Sequence, residues 1–359
     1  MPKQKKQQQP AQASTPPVAH GADDLPAVRV TSYNLELRDG SGFIGDQANK
    51  SAFRDLIEGW RKRVRQGGPD PFGDGATDEL SKKDIDAPLK HLKSEAAALV
   101  LAAIDDFSKQ LADILARYLK VEAWRGTQRI VVGGGFADST AGRMAISRAQ
   151  ILLWADGVKV ELVPIVHHPD EAGLIGAVHL IPSWMLKGHD AILAVDIGGT
   201  NIRAGVIKLN LDEEPDFSKA DVWKSELWRH VDDEPRRTAT IEYLVGMIEG
   251  LIARAKKAKL ALAPVIGIGC PGIIAADGSI ARGGQNLPGG NWESTHFNLP
   301  EALSKAIPRI VDQPTFVIMH NDAVVQGLSE VPRMADVEKW AAVTIGTGLG
   351  NASFTRKEG

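Results

Sequence analysis

The sequence predicts an α/β protein of about two domains, with strands that are partly parallel. Its 359 residues are enough for two hydrophobic cores at roughly 150 residues per domain. From residue 129 onward, apolar strand-like runs alternate with helical runs, the pattern of β-α-β-α layers. Two apolar strands run into glycine-threonine turns and back out, AVDIGGTNIRAGVI from Ala194 and VTIGTGLGNASF from Val343. They form one weak internal echo, and no repeat of 20 to 50 residues accompanies it.

Composition limits function before any motif is considered. The 42 Lys and Arg against 45 Asp and Glu leave a formal net charge of -3, so no basic field exists for a nucleic-acid packager and no acidic excess for cationic partners. The single cysteine, Cys270, forms no internal disulfide and no cysteine-based zinc site, which fits a reducing, cytoplasmic setting. No apolar run suits a signal peptide or a membrane span. No nucleic acid and no membrane are therefore expected as partners, and a homodimer stays open.

Residues 1–26 are polar, with Lys, Gln, Pro, Ala and Ser, and read as a disordered tail; a basic arm on nucleic acid is the alternative. The stretch 28–37 (VRVTSYNLEL) is a strand ended by the turn residues 38–42. Helical spacing of Phe53, Leu56, Ile57, Trp60 and Val64 predicts an amphipathic helix over 52–65. A short helix is expected over 81–93. Over 94–119, Val100, Ile104, Phe107, Leu111, Ile114, Leu115 and Tyr118 share one face of a long helix. Strands at 129–132 and 159–164 then alternate with helices at 142–154 and 171–180. Further strands are predicted at 191–195, 202–207, 220–228, 265–269, 315–319 and 341–345, with helices at 240–256, 300–306 and from Asp322.

A hairpin whose turn holds glycines exposes backbone N–H groups that suit phosphate oxygens. Asp196, at the end of the strand entering Gly198, Gly199, Thr200 and Asn201, is placed to hold a hydrated Mg²⁺ near such phosphates. Gly346, Thr347 and Gly348 make the second turn. Either hairpin alone also reads as a merely tight turn. Likewise Asn321-Asp322 reads as a helix N-cap after a strand, Asn286 as a turn former, and Gly133, Gly134 and Gly135 as an ordinary β-α turn.

These residues carry a family resemblance. LAVDIGGTNIRAGVI resembles the first phosphate motif of the actin-like ATPase and sugar kinase superfamily in its bacterial ROK branch (repressors, open reading frames and kinases), which includes glucokinases. VTIGTGLGNASF is similar to that branch's second phosphate motif, and IVVGGGF from Ile130 to its adenosine motif. IGIGCPGIIAADGSI and GGQNLPGGNW are similar to the segments that approach the sugar. MHNDAVVQGLSE resembles the segment with the catalytic aspartate, and HHPDEAGLIGAVHL the closing helix. The resemblance spans roughly 94–354 and implies two actin-like (ribonuclease H-like) domains with a cleft between them.

The motif order differs from the family's. The adenosine strand and closing helix, 130–180, precede Asp196, and the second phosphate hairpin comes last. This reads as a circular permutation. The expected divisions are 27–180 for most of the second actin-like domain, 181–190 for a joining segment, 191–335 for the first domain, and 336–359 for the hairpin completing the second. It follows that 28–37 should pair in the same sheet as 341–354.

The resemblance implies phosphoryl transfer from ATP, with Mg²⁺, to a hexose hydroxyl as in glucokinase. Asp322 is the implied general base and Asn321 and Asn286 the implied sugar contacts. Thr200 and Thr347 would add hydroxyls to phosphate, and Gly134 and Gly135 would let backbone approach adenosine. Arg203 either touches phosphate or lies solvated. Two family features are missing: Glu-x-Gly-His, which binds sugar, and a cysteine-rich zinc motif; both would fall near the permutation cut. Glu293, beside Trp292, is the substitute sugar contact considered, and His167-His168 reads as a solvated pair. The rival functions are a sugar or nucleotide sensor without turnover, and an ATPase or polyphosphatase of the same superfamily.

Overall fold

Alternating and fully apolar segments condense into two five-stranded sheets in the computed structural model, which describes residues 18–40, 42–285 and 287–357. In chain order the first part gives β1 (Val28–Tyr33), α1 (Lys50–Val64), α2 (Glu95–Tyr118), β2 (Arg129–Gly133), α3 (Thr140–Ala155), β3 (Glu161–Pro164) and α4 (Pro169–Gly176). Then follow β4 (Ala191–Ile197), β5 (Ile202–Lys208), β6 (Asp221–Trp228), α5 (Arg237–Lys257), β7 (Leu262–Cys270), β8 (Phe316–Asn321), α6 (Asp322–Leu328), β9 (Lys339–Ile345) and β10 (Leu349–Arg356). The α/β class with two sheets is as expected. The predicted elements are present with ends shifted by a few residues, and the sequence missed short two-residue hairpin strands such as Arg38–Asp39 with Gly42–Phe43.

Sheet one has the order β1-β10-β9-β2-β3 and sheet two β6-β5-β4-β7-β8. In each, the first three strands are antiparallel neighbours and the last two add in parallel. Reading β9, β10, β1, β2, β3 therefore reproduces, strand for strand, the path of β4 to β8. The pairing expected of residues 28–37 with the last hairpin is present: β1 runs antiparallel to β10, with Val28 opposite Arg356 and Tyr33 opposite Ala352.

The helices form because each has an apolar face to bury, and most have a side-chain cap at the start. Ser94 accepts the Ala97 N–H at the head of α2, and the face from Val100 through Phe107 to Tyr118 is wholly buried against sheet one. Phe53 of α1, Phe107 of α2 and Phe136 pack ring to ring, with centroids 4.8 to 5.5 Å apart, the tilted geometry aromatic quadrupoles favour. In sheet two all seven residues of β4 are buried, as a central strand covered on both faces must be.

The tail expectation needs correction. Residues 1–17 lie outside the described residues, but 18–26 are packed: Leu25 is buried, the Gly21 N–H donates to the Met319 carbonyl, and His20 Nδ1 accepts the Met319 N–H. The composition of 1–26, averaged as a block, hid a short segment whose backbone and His20 ring satisfy the edge of β8 at Met319. This segment leads straight into β1, so one stretch of chain touches both sheets. Tyr33 continues that link, donating its hydroxyl to the Ile274 carbonyl and meeting the His320 ring edge to face.

Candidate active site

The two glycine hairpins sit at corresponding ends of the two central strand pairs. In sheet two, Gly198 follows β4 and donates its N–H to the Asn201 carbonyl; in sheet one, Gly346 follows β9 and donates to the Gly348 carbonyl. Both turns face one cavity of about 760 Å³, whose wall includes Asp196, Gly198, Gly199, Thr200 and Asn201 from one side and Gly346, Thr347 and Gly348 from the other. Gly134 and Gly135, at the turn from β2 into α3, also line it. Gly134 has φ +87, and a Cβ there would come within 2.5 Å of the Ile345 carbonyl oxygen. The turn after β2 thus crosses directly against the end of β9, and only glycine fits.

Gly135 and Gly348 are different. Neither adopts a left-handed φ, and a Cβ on either would meet nothing within 4 Å. Packing does not require glycine at these positions, so what their small size leaves is open cavity. A bound group approaching the backbone would use that space.

Asp196 and Asp322 are brought together by register. Asp196 of β4 stands opposite Gly269 of β7, and Gly269 opposite His320 of β8, two residues before Asp322. A Cβ on Gly269 would lie 3.6 Å from both the Asp196 carboxylate and the Asp322 Cα. Both carboxylates border the cavity at the carboxyl ends of parallel strands, where open α/β sheets bind ligands. Burial raises the Asp196 carboxyl above its ordinary value, the Arg203 charge pulls it back, and Asp170 pushes it up again. For Asp322, burial and then the Asp196 charge push the carboxyl up to about 7.

Around Asp196 the fold is tight. Gly173 of α4 lies so close that a Cβ would sit 2.6 Å from the carboxyl carbon. Arg203 on β5 reaches Asp196 at 3.6 Å through Nη1 and pairs with Asp170 through Nη2. It is therefore not free in solvent but tethered between two carboxylates, and it lines the cavity.

Three predicted residues do not line the cavity. Asn321 is buried, and its amide is spent: Oδ1 accepts the Ala323 and Val324 N–H groups at 3.0 and 3.3 Å, while Nδ2 donates to the Gly272 carbonyl at 3.0 Å. It caps α6 and so aims Asp322, the first residue of that helix. Glu293 accepts the Gly284 N–H at 2.9 Å, which ties its own loop instead of facing the cavity. Gly133 ends β2 with its open side toward the Ile165 side chain. Asn286 lies outside the described residues; its neighbour Gln285 lines the cavity.

Other wall residues were not singled out from sequence: Asn34, Glu36, Lys50, Arg54, Lys82, Arg229 and Gln326. Most come from residues 34–82. Asn34 has φ +50, is anchored by its N–H to the Asn351 carbonyl at 2.9 Å, and presents its amide beside Gly283. One signal for Lys50 was present: it opens a helix whose first turn has no acid, so its charge opposes the helix dipole.

Residues 192–356 match the sequence model of the ROK family. That segment is similar in sequence to the ROK family. It contains both glycine hairpins, Asp196 and Asp322. Among solved structures the chain is similar to a protein from Cytophaga hutchinsonii provisionally described as a sugar kinase, at 19% identity and a TM-score of 0.34 over 45% of this chain and 47% of that one. It is also similar to the ROK hexokinase of Thermus thermophilus, at 22% identity and a TM-score of 0.32 over 45% of each chain. An exopolyphosphatase from Cytophaga hutchinsonii matches at 14% identity and a TM-score of 0.22, over 48% of this chain and 51% of that one. The alignments thus span only about half the length of these proteins. No curated protein matches the chain. Among the described residues no helix is long and apolar enough to cross a membrane.

Proposed function

We propose that this chain is an ATP-dependent sugar kinase acting on a hexose hydroxyl, with Asp322 as general base. The observation that carries the reading is the convergence of two glycine hairpins, from two sheets of matching topology, on one cavity that also holds Asp322. A nucleotide would lie with its phosphates between the hairpins and its adenosine toward Gly134 and Gly135. The acceptor hydroxyl would face Asp322, whose carboxyl, poised at about 7, is suited to take a proton near neutral pH. Asn321 acts behind it as a positioning residue through the α6 cap.

Asp196 fits the requirement for Mg²⁺, since this ion needs only one or two carboxylates beside its waters and phosphate oxygens. When bound it would neutralise charge developing on the phosphates. The side chains that would hold and orient the acceptor are Asn34, Glu36 and Gln285, which line the cavity where the family's Glu-x-Gly-His contacts are absent. We read the chain order as a circular permutation within the ROK family. The equivalence of β9-β10-β1-β2-β3 with β4 to β8 supports this, as does the closeness of the two sides of the break between β10 and β1: the Lys357 N–H donates to the Ala27 carbonyl at 3.1 Å. Residues 27–180 and 336–359 would then make one domain and 191–335 the other, joined by 181–190.

One observation favours a second reading, a sensor that binds ligand without turnover: the Asn321 amide is already committed to its cap and to Gly272. A coupled assay of ADP release with glucose, fructose, mannose and N-acetylmannosamine separates the two. Sugar-dependent release that falls by about 10²-fold or more in Asp322→Asn supports the kinase. Release unchanged by that substitution removes Asp322 from the role, and nucleotide binding with no release on any sugar favours the sensor.

A further inference from the structure

Basic side chains gather on the cavity wall between the two glycine hairpins, and no sequence motif named above includes them. Lys50 and Arg54 come from the start of α1, Lys82 from the following short helix, and Arg229 from the loop after β6. Each hairpin has one of them fastened to it. The Lys50 backbone N–H donates to the Gly346 carbonyl at 3.0 Å. On the opposite wall the residues after Arg229 grip the first hairpin, with His230 Nε2 at 2.9 Å from the Gly198 carbonyl and the Val231 N–H donating to the Thr200 carbonyl.

Their partners differ. Arg54 donates to the carbonyls of Thr77, Asp78 and Leu80, Lys82 pairs with Asp138 at 2.6 Å, and Arg229 pairs with Asp232 at 2.8 Å. The Lys50 ammonium has no hydrogen bond or ion pair among the described residues. Burial lowers it below its ordinary value, and the like charges of Arg54, Arg229 and Lys82 lower it further. Lys50 alone of the four has no partner among the described residues, and an ammonium so placed beside a backbone turn is complementary to anionic oxygens.

We propose that Lys50 is a phosphate-positioning residue, its ammonium and the Arg229 guanidinium across the cavity taking the phosphoryl chain of the nucleotide between the two hairpins. This rests on the kinase reading and adds to it side-chain contacts from both walls. Filling the site would relieve the repulsion among the cations, so phosphate binding would draw the two walls together.

Titration calorimetry with ATP and with adenosine, on the parent, Lys50→Met, Lys50→Arg and Arg229→Met, tests it. The expected result for Lys50→Met is an ATP Kd raised about tenfold, as for one lost charge-assisted contact, with adenosine affinity unchanged. Lys50→Arg should restore ATP affinity to within about threefold, and Arg229→Met should repeat the Lys50→Met pattern. Lys50 is exposed at a helix start, so the variants should keep the parental Tm. ATP binding unaltered in Lys50→Met, or an equal loss for ATP and adenosine, would overturn the assignment of Lys50. A parent chain that binds neither ATP nor adenosine would instead bring down the kinase reading together with it.

Discussion

Asp322→Asn should make the protein more stable at neutral pH while removing the proposed base. The carboxyl is pushed from its ordinary value of 3.8 up to about 7, first by burial and then by the Asp196 charge. The folded chain therefore holds this proton more tightly than the unfolded chain does. Its stabilising effect is complete below 3.8 and is lost as pH rises through 7. At about 1.4 kcal/mol per tenfold change in proton affinity, the ceiling for this loss is about 4 kcal/mol. Asp322 also faces the cavity, and water there screens the charge, so a realistic difference is about 1–2 kcal/mol between pH 5 and pH 8. The amide of the variant has no proton to lose and avoids that penalty. Urea unfolding of both proteins at pH 5, 6, 7 and 8 measures the gap directly. The variant's advantage should widen with pH and level off above about 7.5. A gap that stays constant from pH 5 to 8 would show that the carboxyl is not raised, and the argument for a base poised near neutrality would fall with it.

Two glycines separate packing from ligand space. Gly173→Ala places a Cβ 2.6 Å from the Asp196 carboxyl carbon, so α4 must shift, and thermal unfolding should show a loss of about 1–3 kcal/mol. Gly348→Ala meets nothing within 4 Å; stability should stay within about 0.5 kcal/mol of the parent while calorimetric ATP affinity falls, because the new methyl enters the space a phosphate would use.

Local pattern was enough for the strands and for the backbone part of the site, since an apolar run ending in a glycine turn is a property of a dozen neighbouring residues. Gly198 to Asn201 and Gly346 to Gly348 reach the same cavity for that reason. Side chains whose role depends on distant partners were harder to read. Asn34 and Lys50 lie on the wall because β1 adds to β10, over 300 residues away in the chain, and carries the start of α1 to the second hairpin. Arg229 arrives through the hydrogen bonds of His230 and Val231 to the first hairpin, and nothing in its local sequence announces them. Asn321 shows the converse: the sequence offered both a ligand contact and a helix cap, and the start of α6 left backbone N–H groups for which the amide was the nearest acceptor. The two cases have one physical root. A polar side chain is claimed by whichever partner the fold brings nearest, and that competition is settled by strand pairing and helix ends before any ligand arrives. An unclaimed cation such as Lys50, at a helix start that disfavours it, is accordingly a better marker of a binding site than a polar residue adjacent to a known motif.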